Sequence, residues 1–560
     1  MKKLLEIINL SKKDLTVAIL LCFIFVLAIV LRTYNLNSVP LGFHIDEASL
    51  GYNGYSLLLT GKDENNNKNP LYIDMFGDNR PSGYHYLTEL PIKFLGLNEL
   101  ATRLPGAIFG SFTIIPFFFL AQILFGNRKV SLISSFLLSI APWHVVLSRA
   151  SAETVVALFF IISGYMLLLT GFKKQKKIYF FLGAFVLLLS FFFYHTPRVF
   201  IPLLFLVSVL YLYPIWKKFT NKHKAYLLSS FIILSIVSFS LVFIIKGGTG
   251  RFSQVNIFGY PQIRLLQEEQ IKEDGLFQTP VILTRFFHNK PLNYSLGFIE
   301  NYFAYFSGKF LFIEGGLPIW YKVPSMGLIY IVESPFIIVG IFYLLSSKNR
   351  YHKLPLIWLM LSPLAASVTR DDVPNIQRAI VMFPMIELIA AYGFITILNK
   401  FKKFQYRIVA GIFVIILAWN LSYFMHQYFV QAQVHRNWYR NEGFGEMLSA
   451  VKKDYTNYDK IIVTKAEGGI YPLILFYMNY DPRVYLKEGS PKDKAFTGFG
   501  KFFFALVPCP SKDRDNKFPK VNKTIFIDNG TCPDYKGLES HRHLYITRKD
   551  GTRVFRIVYD

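Results

Sequence analysis

Stretches of about 20 apolar residues, the length of helix that crosses a bilayer, recur along this chain too often for a water-soluble fold to bury them. They fall at 14–31, 100–125, 130–148, 152–171, 178–194, 197–215, 225–246, 326–346, 354–369, 378–399 and 408–428, which predicts eleven spans. A mean hydropathy of +0.34 and an aromatic content of 17% belong to the same class. The fold expected is a polytopic α-helical membrane protein.

The formal net charge of +25 would suggest a nucleic-acid partner in a soluble chain. Here the cations sit in short clusters between apolar runs: Arg128-Lys129, Lys173 to Lys177, Lys217-Lys218, Lys222 and Lys224, Lys348 to Lys353, and Lys400 to Lys403. Such clusters mark cytoplasmic loops, so no nucleic acid is expected. With the basic start (Lys2, Lys3, Lys12, Lys13) they place the N-terminus inside, and eleven crossings place the C-terminus outside. No small-residue cleavage site follows the first run, which reads as an uncleaved signal anchor.

This topology divides the chain into a membrane domain over 1–430, with outside loops at 33–98 and 246–325, and an extracytoplasmic domain over 431–560. In the latter, EGFGEMLSAVKKDY and GGIYPLILFYMNYDP read as helices. KIIVTKA, KFFFALVP, KTIFIDN, HLYITR and VFRIVYD read as strands. The alternation predicts a small α/β domain. It carries no phosphate-binding glycine fingerprint, and roles as a lid, an acceptor dock or a structural cap all stay open. Cys509 and Cys532 are its only cysteines, Cys22 lying in the first run. They either close a loop worth about 3 kcal/mol or stay as two free thiols. Metal-ligand spacing is absent. The triplets Asn522-Lys-Thr and Asn529-Gly-Thr are too short a pattern to imply glycosylation.

In the first outside loop, GFHIDEASLGYNGYSLLLTG (42–61) puts Asp46 and Glu47 at the start of an amphipathic helix beside the membrane. A carboxylate there is costly to desolvate and is a functional candidate. The competing reading makes Asp46 a helix N-cap, with Glu47 favoured by the helix dipole. Other unusual polar residues fall on the same side. APWHVVLSRASAE (141–153) carries His144, Arg149 and Glu153; YHTPRV (194–199) carries His195 and Arg198; SVTRDDVPNIQRA (367–379) carries Arg370 and Arg378. The aromatic stretch 301–327 places Glu314 beside Gly315-Gly316 and suits a surface helix leading into a loop over a cavity. The region around His85 predicts a second helix lying on the membrane. Arginines outside run against the positive-inside rule. Each either pairs with a nearby acid or lipid headgroup, or binds phosphate through its planar fork. Arg378, in the opening turn of a span, is the first choice for phosphate. Glu153, Glu314, His85 and His195 are candidate acceptor or cavity residues.

As an ordered set, these residues resemble the C-type glycosyltransferase superfamily, and within it the protein O-mannosyltransferase and aminoarabinose-transferase group. The resemblance rests on the acidic pair in the first outside loop, on Ser-Arg-Ala-x-x-Glu over Ser148–Glu153, and on the many spans. FIEGG…P…MG near 312–327 and SVTRDD…QRAIVMFP near 367–384 look like its bacterial branch. It covers residues 14 to 430. It implies a polyprenyl-phosphate-linked sugar as donor, a lipid, glycan or protein hydroxyl as acceptor, and transfer on the outer face with inversion. It also implies Asp46 as general base with Glu47 beside it; Arg378, Arg149, Arg198 and Arg370 are the candidate phosphate ligands. The carboxylates are adjacent, unlike the Asp-x-Asp metal motif of nucleotide-sugar enzymes. No cofactor is identified, and a divalent metal stays open.

The chemistry agrees. A polyprenyl phosphate partitions into the bilayer and carries its own leaving group, and a general base is worth roughly 100- to 10,000-fold. A transporter or flippase of a lipid-linked sugar is the alternative, but it would show internal repeats and broken spans with polar groups at the midplane. A membrane scaffold would leave the outside acids and arginines without a role.

Overall fold

A computed structural model of the chain describes residues 12–560 apart from 76, 246–254, 260, 436, 466–469, 490, 514–517 and 519–522. The basic start before Lys12, Asn522 and the head of the long 246–325 loop lie outside the described residues.

Each of the eleven apolar runs falls mainly on helix. Among the described residues, six helices are long and apolar enough to cross a membrane, or seven when Arg128–Ile140 and Pro142–Ser148 count as one span bent by 54°. The bend falls at Pro142, whose ring lacks the N–H that would continue the ladder. Lys177–Ser190, Thr196–Tyr211 and Ile331–Ser346 are apolar but shorter. Helix length alone therefore supports fewer crossings than the eleven expected. Phe23, Phe185, Ile236, Phe342 and Ile415 are exposed on these helices. In water such a belt would be an aggregation surface; against lipid it is the natural face. The chain is a multi-pass membrane protein.

Close helix packing uses small residues. A Cβ at Gly393 would stand 1.9 Å from the Phe336 carbonyl oxygen, and one at Gly340 2.2 Å from that of Ile389. Ser334–Ser346 and Phe383–Leu398 therefore meet backbone to backbone.

The loop after the first helix, Lys12–Thr33, is more structured than expected. It contains helix Ile45–Thr60, a hairpin of β1 (Tyr72–Met75) and β2 (Asp78–Pro81), and helix Gly83–Leu95. In the hairpin Ile73 pairs with Arg80 and Met75 with Asp78. Ile73 and Met75 are buried, so the hairpin is anchored on its apolar face and holds Asp78 and Arg80 in place.

The C-terminal segment forms the expected α/β unit. Its sheet runs in the order β4 (Phe502–Ala505), β3 (Lys460–Thr464), β5 (Thr524–Asn529), β7 (Arg553–Tyr559), β6 (Arg542–Thr547). β4, β3 and β5 are parallel, and β7 and β6 are antiparallel additions. Cys509 and Cys532 are bridged, with Cα atoms 5.8 Å apart. The unit does not stand clear of the membrane part. Its helix Ile470–Tyr477 packs on helix Ile45–Thr60, with the Phe43 and Phe476 rings 4.6 Å apart, and Tyr477 donates to Glu99 at 2.6 Å.

Candidate active site

Helix Ile45–Thr60 begins at His44, not at Asp46. The His44 Nδ1 accepts from the Asp46 N–H at 3.2 Å, and the Glu47 carboxylate takes the His44 N–H at 3.3 Å, closing a capping box. The capping role expected as the alternative for Asp46 thus belongs to His44, and the Asp46 carboxylate serves elsewhere. Burial holds the His44 pKa below its ordinary value, with Arg440 adding to the effect against Asp46. The ring is neutral at neutral pH, as its acceptor role requires.

The two adjacent carboxylates have different surroundings. Glu47 is 3% exposed. Arg103 Nε donates to its Oε1 at 3.1 Å, Ser151 donates to the same oxygen at 3.1 Å, and Arg440 Nη2 donates to Oε2. Burial alone would raise the Glu47 pKa, but Arg103 and Arg440 outweigh it and hold it below the usual value. Glu47 is the centre of a buried ion-pair cluster, and each of its two oxygens already accepts two hydrogen bonds. A Cβ on Gly42, at φ +75°, would stand 2.5 Å from the Arg440 carbonyl oxygen. The backbone before the helix is therefore held against the root of the C-terminal unit.

Asp46 faces a cavity of about 470 Å³. Arg80 Nη2 donates to its Oδ2 at 3.1 Å, and the same guanidinium lies 3.0 Å from Asp78 and 3.6 Å from Glu153. Burial opposes the charge on Arg80, but the three carboxylates keep its pKa well above the ordinary value. Glu153, His195, Arg198 and Arg378 line this cavity with Asp46 and Arg80. Residues from five separate stretches of sequence thus converge at one end of the helical bundle.

The two cavity arginines differ in how their charge is met. Arg378 donates to Thr369 at 2.8 Å and to the Asp371 carbonyl, and pairs with the Asp371 carboxylate at 3.3 Å. Arg198 is 3% exposed. It donates to the Phe191 carbonyl at 3.1 Å through Nε and at 2.6 Å through Nη2, and through Nη1 to the Tyr72 hydroxyl at 2.6 Å. His195 Nδ1 lies 3.3 Å from the same Nη1, and its Nε2 lies 3.0 Å from the Asn79 carbonyl. Among the described residues Arg198 has no carboxylate partner.

Four expected site residues lie elsewhere. Arg149 is fully buried, donates to the Leu31 and Val39 carbonyls at 3.0 and 2.8 Å, and packs on the Phe429 ring. Its contacts clasp the two ends of the segment between Leu31 and Val39. Arg370 is exposed and lines no described cavity. His85 is buried in helix Gly83–Leu95 away from the cavity, and burial pushes its pKa down to about 3. Glu314 is exposed, pairs with Lys309 at 3.2 Å and borders a different cavity. Among the described residues no three His, Cys, Asp or Glu side chains form a group that could hold a metal ion.

Residues 79–243 match the family described as dolichyl-phosphate-mannose-protein mannosyltransferase. No curated protein sequence matches the chain. Among solved structures, ArnT from Cupriavidus metallidurans bound to undecaprenyl phosphate aligns over 96% of this chain and 97% of its own, at 13% identity and a TM-score of 0.54. The archaeal oligosaccharyltransferase AglB from Archaeoglobus fulgidus, in complex with an inhibitory peptide and a dolichol-phosphate, aligns over 83% of this chain at 12% identity and a TM-score of 0.50. The chain spans 64% of the length of that oligosaccharyltransferase. The chain shares its fold with these two proteins.

Three residues at the site were absent from the expected set: Arg80, Arg440 and Trp320. Arg80 carried a usable signal, an arginine two residues from an aspartate in the loop after the first apolar run. Arg440 follows the last membrane helix and meets Glu47 across 393 residues of sequence, a contact without local signature. Trp320 stacks on His44 with ring centroids 4.1 Å apart, again by long-range folding alone.

Proposed function

We propose that the protein moves a sugar from a polyprenyl-phosphate donor to an acceptor hydroxyl on the outer face of the membrane, with inversion and with Asp46 as general base. One observation carries this reading: Asp46 and Arg198 line the same cavity, one a carboxylate and the other a buried cation without a carboxylate partner. Burying a charge without compensation is costly. A site that keeps one beside a cavity is built for an anion, and the departing lipid phosphate is such an anion. Arg198 replaces Arg378 as the first phosphate ligand, because the Asp371 carboxylate already meets Arg378.

The bond between the anomeric carbon and the phosphate oxygen breaks, and its electron pair stays on the phosphate beside Arg198. The acceptor oxygen bonds to the opposite face of the anomeric carbon, and its proton passes to Asp46. Arg80 pairs with Asp46 and orients it, and Glu47 anchors the helix that presents it. The topology that goes with this chemistry has the N-terminus inside and the C-terminal unit outside. The Cys509–Cys532 bridge supports the outside placement, since disulfides persist in oxidising compartments.

The test is transfer by the purified protein in lipid nanodiscs from a panel of labelled polyprenyl-phosphate sugars, mannose first, to acceptors in membrane extract. The expected result is a product with an inverted anomeric centre and free polyprenyl phosphate. Translocation of the intact lipid-linked sugar without bond cleavage would replace this reading with transport.

A further inference from the structure

A second cavity of about 470 Å³ lies on the other side of Trp320. Pro40, Val146, Trp320, Lys322, Tyr428 and Arg440 are among the residues that enclose it. Trp320 is the one residue it shares with the cavity of Asp46 and Arg198. A gap of about 10 Å³, room for about one water, runs under Trp320 and is bordered by both Asp46 and Arg440. Two spaces of equal volume thus meet at the proposed base and are divided by one indole ring braced on His44.

The charges around the second cavity do not cancel. Arg440 is matched by Glu47, and Glu314 by Lys309. Lys322 is half-buried and has no ion-pair partner among the described residues. The cavity therefore offers a surplus cation within a wall of mixed polar and apolar residues.

We infer that the second cavity seats the acceptor, that Lys322 selects one bearing an anionic group near its hydroxyl, and that Trp320 is the partition across which acceptor and sugar meet. This deepens the glycosyl-transfer reading and rests on it. With the donor in the first cavity, an acceptor seated in the second extends only its hydroxyl into the gap toward Asp46. The ring of Trp320 keeps bulk water from taking the acceptor's place. If water attacks instead, the anomeric carbon–phosphate oxygen bond still breaks. Water supplies the new oxygen and its proton goes to Asp46, giving free sugar and polyprenyl phosphate.

The experiment uses the full chain in nanodiscs, the donor identified by the panel, and two acceptor probes with the same primary hydroxyl: glycerol and glycerol 1-phosphate. The wild type should favour glycerol 1-phosphate by about tenfold or more in kcat/KM, as one charge-assisted contact allows. Lys322→Met should bring the ratio of the two probes close to one, and Lys322→Arg should keep the preference. The ratio of donor hydrolysis to transfer should be higher in Trp320→Ala than in Trp320→Phe. A wild type without preference, a Lys322→Met protein that keeps it, or equal hydrolysis ratios in the two Trp320 variants would overturn the inference while leaving glycosyl transfer standing. Donor that is never cleaved would remove both.

Discussion

Arg80 Nη2 stands 3.1 Å from Asp46 Oδ2, and the same guanidinium lies 3.6 Å from Glu153. A hairpin arginine thus joins the first carboxylate of helix Ile45–Thr60 to the first carboxylate of helix Glu153–Lys174. Arg80→Met leaves Asp46, Asp78 and Glu153 facing one another without a cation. Both the thermal midpoint and the transfer rate should fall. Arg80→Lys keeps the charge but loses the fork and should recover stability more than rate. Midpoint and kcat measured on the same preparations separate the two effects.

Glu47→Gln should act through folding. It leaves Arg103 and Arg440 buried without their shared carboxylate, and breaking a buried pair costs about 3–5 kcal/mol. A clear drop in thermal midpoint or in the yield of folded protein is expected. A Glu47→Gln protein as stable as the wild type would contradict the structural role assigned to this carboxylate.

Arg198→Met should abolish saturable binding of polyprenyl phosphate, the leaving group itself, which needs no knowledge of the sugar. Arg378→Met should weaken it less, because Asp371 already meets that charge. Equilibrium binding of labelled polyprenyl phosphate to purified protein gives the order directly, and the reverse order would return Arg378 to first place.

The outer loop should make stability depend on pH. Glu64 is fully buried, accepts from Asn53 at 3.1 Å and from Ser49 at 3.4 Å, and burial pushes its pKa up to about 7. The folded state holds this proton more tightly than the unfolded chain, whose carboxyl titrates near the ordinary 4.5. Stability contributed by the neutral carboxyl is therefore complete below pH 4.5 and is lost as pH rises through about 7. Glu64→Gln mimics the neutral form and should remove this component. Midpoints at a series of pH values for both proteins provide the check.

How much of this was legible in the sequence follows from the range of the interactions. Apolar runs and basic clusters are local, so the helices and the class of fold could be read directly. The C-terminal strands were legible for the same reason: Ile461 to Val463 and Ile525 to Ile527 are short buried runs. Asp46, Glu153, His195, Arg198 and Arg378 were singled out because ionisable groups at span ends are unusual, and one cavity gathers all five. What sequence could not supply was partnership. Arg149 and Arg198 look alike as outside arginines, yet one is spent on the Leu31 and Val39 carbonyls and the other borders the cavity. The hairpin at residues 72–81 was missed because its strands are only four residues each, and Asp-Asn-Arg-Pro has little strand character. Asp46 and Glu47 differ in role because Arg440, far along the chain, reaches only the second.

The central claim is that Asp46 takes the acceptor's proton, and its most direct test is transfer by purified Asp46→Asn protein from a labelled polyprenyl-phosphate sugar. Asn keeps the size of Asp, and His44 supplies the helix cap, so the variant should fold with a thermal midpoint near that of the wild type. Its transfer rate should fall at least about 100-fold, the lower end expected for loss of a general base. A folded Asp46→Asn protein that transfers sugar at a near-normal rate would contradict the account and remove the active site from this cavity.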